Sequence, residues 1–140
     1  MKIKFVFSLM AVLLLCLTSC SIEDNENFEF VALPIASVEI PEHFTLNETY
    51  EIKVVYSLDS DCTFFEGFDF INEEITTRNV TAIASTIVDS DDCKEISEEI
   101  ETSFNFIVLY EGTYLFKFYA GQDDEGEPIY IEKEVPVMAE

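Results

Sequence analysis

From residue 34 onward, apolar and polar residues alternate with a period of two. That pattern places every second side chain on one face of an extended strand. In Tyr50–Leu58, the residues Tyr50, Ile52, Val54, Tyr56 and Leu58 share one face, and Glu51, Lys53 and Ser57 share the other. Further strands are expected at Ile35–Ile40, Thr63–Ile71, Arg78–Val88, Ile96–Tyr110, Thr113–Ala120 and Pro128–Val137. Glu73–Asn79 or Asp92–Glu99 could hold one helical turn, but no amphipathic helix is expected in this part of the chain. Seven short strands separated by turn residues predict an all-β fold, a two-sheet antiparallel sandwich. The 13 Phe residues, with only four Gly and four Pro, provide for a packed core and argue against disorder.

The first nineteen residues are of another kind. Lys2 and Lys4 open them, and an apolar run of about thirteen residues follows from Phe5 to Leu17. Crossing a bilayer as a helix takes about 20 residues, so the run fits the core of an export signal. It ends in Leu17-Thr18-Ser19-Cys20, which resembles the bacterial lipobox, with Ser19 where Gly or Ala is commoner. The resemblance implies a signal-peptide helix at 1–19 that is cut off, and a membrane attachment through lipid on Cys20, including palmitate-type acyl chains. Each buried methylene contributes about 0.8 kcal/mol, so several chains anchor firmly. A plain secretory signal cut after Ser19 is the alternative. The stretch from Ser21 to Asn27 is polar and acidic. It is similar to the acidic segment after the cysteine in surface-exported lipoproteins of Bacteroidota-type bacteria, with a neutral linker as the plainer reading. The expected division is a signal peptide at 1–19, a lipidated acidic tether at 20–33 and a sandwich at 34–140.

Of four cysteines, Cys16 leaves with the leader and Cys20 is taken by lipid. Cys62 and Cys93 remain in an oxidising compartment, where a disulfide is the default. It closes a loop of about thirty residues and stabilises by about 2–4 kcal/mol. Free thiols and metal ligation are the alternatives. The sole histidine, His43, and the lack of a Cys-x-x-Cys pair argue against metal.

Glu111-Gly112-Thr113-Tyr114, followed by Phe116 and Phe118, resembles the entry to the sixth strand of immunoglobulin-like and PKD-like domains. There a tyrosine folds its hydroxyl back onto the backbone. The chain departs from antibody domains in lacking a core Trp and in the placement of its cysteines. As a whole it resembles the small immunoglobulin-like lipoproteins of Bacteroidota-type bacteria. The resemblance implies a fold and an address, an outer-membrane lipoprotein exposed at the cell surface or facing the periplasm, but no activity.

If neighbouring strands run in opposite directions, the loops after the second, fourth and sixth expected strands lie at one end. Cys62 and Cys93 fall in the first two of these loops, so the disulfide and the strand order agree. The same loops hold Asp59 and Asp61, then Asp89, Asp91 and Asp92, then Asp123 and Asp124 beside Glu125 and Glu127. Ca²⁺ takes six to eight oxygen ligands, and such loops can supply them. The competing reading is a solvated acidic tip; the EF-hand spacing is missing. Apart from this Ca²⁺ candidate, no cofactor is expected.

The chain carries 29 acidic and seven basic residues, for a net charge of −22. Both leader lysines go with the signal and no acid does, leaving five basic residues and a charge of −24. Such a surface repels nucleic acid, so no nucleic-acid partner is expected. No Gly-x-Ser-x-Gly, His-Glu-x-x-His or P-loop occurs. His43 sits in an expected loop, and Arg78 reads as a strand-edge charge. Phe64, Phe65, Phe68 and Phe70 could stack on sugars if exposed, but an alternating Phe-rich strand reads first as core. Tyr119 and Tyr130 are better contact candidates, unless they are cross-strand partners. The expectation is no enzyme but a noncatalytic binding or structural domain with a protein or glycan partner. The alternative is a Ca²⁺-dependent adhesion or glycan-binding module.

Overall fold

The computed structural model describes residues 27–138. The expected signal helix and the lipid site at Cys20 lie outside the described residues. The alternation resolves into nine strands. They are β1 (Phe28–Leu33), β2 (Ile35–Glu39), β3 (Phe44–Thr45), β4 (Thr49–Ser60) and β5 (Thr63–Asn72), then β6 (Thr77–Ile87), β7 (Glu95–Ile107), β8 (Thr113–Gln122) and β9 (Pro128–Met138). All seven expected strands are present; β1 and β3 are additional. Among the described residues there is no helix, and residues 73–76 form a bend instead of a helical turn.

The strands form two sheets, one of six strands and one of three. The larger runs β5-β6-β8-β9-β3, with β1 also paired to β6; the smaller runs β2-β4-β7. The fold is an all-β two-sheet sandwich. The sequence predicts a wholly antiparallel sandwich, and this is corrected by two parallel pairings. β6 and β8 pair parallel over Thr77–Val80, and β3 pairs parallel with β9 at Phe44↔Val137. The cause is that β7 lies between β6 and β8 in sequence but crosses to the smaller sheet, so its two sequence neighbours run the same way.

β1 corrects the expected tether of 20–33. The sandwich begins at Phe28, and β1 pairs antiparallel with β6 from Phe28↔Ile87 to Leu33↔Ala82. Its Leu33 is buried and Val31 packs on the core. Pro34 then ends the ladder, because it has no N–H to donate, and the chain passes to the smaller sheet as β2. The Pro34 carbonyl accepts a hydrogen bond from the Ser57 N–H at 3.0 Å.

The core lies between the sheets. Ile52, Val54, Tyr56 and Leu58 of β4 face Val80, Ala82 and Ala84 of β6 and Tyr114, Phe116 and Phe118 of β8. No Trp is present, and Phe44 fills the centre of one end. Its fully buried ring lies 4.8 Å from Tyr50, 5.8 Å from Phe106 and 6.0 Å from Tyr114. Burying such a ring contributes about 1.5–3 kcal/mol.

In β5 a bulge between Phe65 and Gly67 inserts one residue, with Gly67 at φ 148°. The insertion restores the inward parity: Phe65 pairs with Ala84, Phe68 with Ala82 and Phe70 with Val80. Without it Phe68 and Phe70 would turn to the outer face.

Candidate functional site

Cys62 and Cys93 are joined, with Cα atoms 5.5 Å apart and a sequence separation of 31. They staple the β4–β5 turn to the β6–β7 loop. The same pole is tied by two further bonds: the Lys94 N–H donates to Asp61 Oδ1 at 2.7 Å, and the Asp61 N–H donates to the Lys94 carbonyl at 3.1 Å. Asp59, Asp61, Asp89, Asp91 and Asp92 therefore gather at one end, all exposed.

Their chemistry is partly committed. Asp61 accepts the Lys94 N–H, and Asp89 accepts from the Asn27 side-chain amide. Asp123 closes its own turn, accepting from the N–H groups of Glu125 and Glu127, each at 2.9 Å. β8 pairs with β6 only as far as Phe118, and β1 flanks the rest of β6. Because β8 runs parallel to β6, the turn with Asp123 and Asp124 lies toward the same end, with β1 between it and the last part of β6. Among the described residues, one group of three Asp, Glu, His or Cys side chains brings its ligand atoms within 4.8 Å of one another: Asp61, Cys62 and Cys93. Both sulfurs are bonded to each other, so neither offers a thiolate.

The other polar residues act on the fold. The Tyr114 hydroxyl accepts from the backbone N–H of Leu109 at 3.2 Å and of Tyr110 at 3.0 Å. This is the corner geometry expected from the sequence around Gly112. Arg78 is not the edge charge expected from the sequence. Its guanidinium donates to the carbonyls of Glu74, Ile75 and Thr77 at 2.8–3.1 Å and lies 5.4 Å from the Tyr114 ring centroid. It thereby fastens the β5–β6 bend to the core.

On the outer face of the larger sheet, Glu73 accepts from Asn79 at 2.8 Å and from Lys117 at 3.1 Å. The bonds from Asn79 and then Lys117 hold the Glu73 carboxyl below the usual range. The bond to Glu73 raises Lys117 in turn. His43 is exposed in the β2–β3 connection.

The aromatic candidates divide. Phe65 and Phe68 pack on the core, Phe65 stacking on Tyr56 at 4.8 Å. Phe70 faces inward but lies at the open edge, 4.9 Å from Phe104 and 44% exposed. Phe64 faces outward. Tyr119 and Tyr130 are cross-strand partners with ring centroids 6.4 Å apart.

Sequence reasoning missed Phe28 and Phe30, which lie beside Phe64 on one outer surface. The signal was there: Phe28, Phe30 and Ala32 alternate with Glu29, Val31 and Leu33, but both sets contain apolar residues.

Two clefts open at the ends. One of about 530 Å³ lies between Asn47, Glu111, Gly112 and Val137. The other, about 410 Å³, lies at the stapled pole between Leu33, Leu58, Thr63 and Ile96. Each has one titratable side chain among its lining residues, Glu111 in the first and Asp59 in the second.

Fold and site together define a disulfide-stapled β-sandwich with an acidic pole and an aromatic outer face. Compared with family models, with curated proteins and with solved structures, the chain matches none.

Proposed function

We propose that the protein is a bacterial lipoprotein, held at the outer membrane by lipid on Cys20, with its sandwich acting at the cell surface as a noncatalytic binding or structural domain. The observation that carries this reading is the basic start, the apolar run and Leu17-Thr18-Ser19-Cys20 in succession. Two features support it. The first strand begins at Phe28, so the polar residues 20–26 serve as a short spacer between anchor and domain. The Cys62–Cys93 disulfide suits a protein exported to an oxidising compartment.

The test is to express the chain with its own leader in a bacterium that processes lipoproteins and to read the mature N-terminus by mass spectrometry. The expected result is Cys20 as first residue carrying acyl chains. An N-terminus elsewhere, or protein found wholly in the aqueous fraction, overturns the reading.

A further inference from the structure

We infer that the outer face of the larger sheet, at its stapled end, seats on the bilayer that holds the protein's own acyl chains. This rests on the lipid anchor at Cys20 proposed above and names the surface that the anchor brings into contact.

Three strands build the surface. Directly paired residues of antiparallel neighbours point to the same side. Phe30 of β1 pairs with Ser85 of β6, and Ser85 pairs on its other side with Phe64 of β5. One row beyond, Phe28 pairs with Ile87; one row back, Ala32 pairs with Ile83. The opposite parity, Val31, Leu33, Ala82 and Ala84, belongs to the core cluster, so the Phe30 row faces outward. Phe30 is 74% exposed, Phe28 53% and Phe64 49%. Ser85, between Phe30 and Phe64 in register, is only 7% exposed and donates to Glu66 Oε1 at 2.6 Å. Large aromatic residues clustered on an outer face mark a contact surface, unlike scattered ones.

The anchor decides the occupant. Residues 21–26 separate the lipid site from Asn27. An extended chain spans at most about 3.3–3.6 Å per residue, so Asn27 lies within about 25 Å of Cys20. The twelve residues of β4 alone rise about 40 Å at about 3.3 Å each. The spacer is thus shorter than the sandwich, and it enters at the stapled pole: the Val88 N–H donates to the Asn27 carbonyl, and Phe28 pairs with Ile87. The aromatic surface therefore starts at the first residue of the first strand, beside the tether's exit, where rings can enter the headgroup boundary.

Charge fits the same placement. On this face Asp69, Lys117 and Glu132 lie in rows further from the stapled end, at Thr81 and Asn79. Glu66 sits on the patch, accepting from Ser85, and Asp89 at its border accepts from Asn27; the remaining loop aspartates of the stapled pole stand beyond the end of the sheet, where a neutral headgroup layer can accommodate them. A second copy is the poorer occupant, since each processed chain carries a net charge of −24.

The test uses the full, processed and lipidated chain in phosphatidylcholine vesicles with brominated acyl chains. The protein has no Trp, so Phe30→Trp gives a single reporter on the patch. Glu101→Trp places one on the exposed outer face of the smaller sheet. The expected result is a blue-shifted Phe30→Trp emission quenched by bromine, with Glu101→Trp unquenched. Equal, weak quenching of both, with acyl chains found on Cys20, overturns the seating and leaves the anchor standing. A Cys20 without lipid overturns both. A blue-shifted Phe30→Trp that bromine does not quench, with cross-links between two copies, assigns the face to self-association and overturns the bilayer.

Discussion

Replacing both bridge cysteines, Cys62→Ala with Cys93→Ala, isolates what the staple contributes. The disulfide spans 31 residues, and in the chain-entropy description closing such a loop removes about 12 cal/mol/K from the unfolded ensemble, or about 3.7 kcal/mol at 25 °C. At about 2.1 cal/mol/K of unfolding entropy per residue, a domain of about 110 residues should lose about 16 °C in Tm. The native pole should survive, because Asp61 and Lys94 still exchange two hydrogen bonds and Ser60 still pairs with Glu95. Urea unfolding of the parent and the double variant, followed by circular dichroism, measures the difference. The variant should unfold at lower urea with a steeper slope, since its unfolded chain exposes more surface. Amide exchange at Asp61 and Lys94 should stay slow. A loss below about 1 kcal/mol, or rapid exchange at those amides, would refute the argument that the bridge acts mainly by restricting the unfolded chain.

Tyr114→Phe removes the acceptor shared by the Leu109 and Tyr110 N–H groups. Both residues are well exposed, so water replaces part of the loss, and denaturation should show a cost of about 1–2 kcal/mol. Arg78→Ala strips three carbonyls of their donor. It should cost about 2 kcal/mol and open the bend at residues 73–76 to limited proteolysis, while Tyr114→Phe leaves that bend resistant. Lys117→Met should raise the Glu73 carboxyl toward the usual range in an NMR titration. In the parent, Glu73 is lowered and Lys117 raised. The pair's contribution therefore holds across neutral pH, fading as pH falls through the lowered Glu73 value or rises through the raised Lys117 value. Finally, Glu98→Gln, Glu99→Gln and Glu101→Gln together should cause association visible by analytical ultracentrifugation, while each single change stays monomer-like.

The strands most legible in the sequence were those with one wet face. Tyr50–Leu58 alternates cleanly because β4 is covered on one side only, and its inward residues are the ones read from the pattern. β1 was missed because both its faces carry apolar residues: Val31 and Leu33 pack inward while Phe28 and Phe30 face out. Period two loses its contrast there, and the acidic residues just before it made the segment look like tether. The bulge at Gly67 was hidden for a related reason. A run as rich in Phe as residues 64–70 supports either parity, and only pairing with β6 fixes which rings are inside. Parallel pairing of β6 with β8 depends on a strand leaving for the other sheet, a tertiary choice with no local signal. The disulfide was legible because elimination left two cysteines. The fate of Asp123 was not, since an Asp that closes a turn and an Asp that awaits a cation have the same sequence signature.

The net charge read from composition is a single number, yet the fold distributes it unevenly, and the distribution explains how so acidic a chain keeps open edges. β7 ends the smaller sheet with 13 residues paired on one side only, to β4. A free edge of that length is a template for pairing with another chain. Glu95, Glu98, Glu99 and Glu101 lie along it, so a second β7 laid alongside would bring carboxylates against carboxylates at the spacing of neighbouring strands. β5, the long edge of the larger sheet, carries the bulge at Gly67, which bends the ladder. These two long edges are thus closed to copies of the same chain, one by charge and one by geometry. The outer surface around Phe28, Phe30 and Phe64 lies across the paired strands β1, β6 and β5, and it exposes three large rings around Ser85, which is bonded to Glu66. Where the two longest open edges of the sandwich are guarded against association, this face offers exposed rings for a contact.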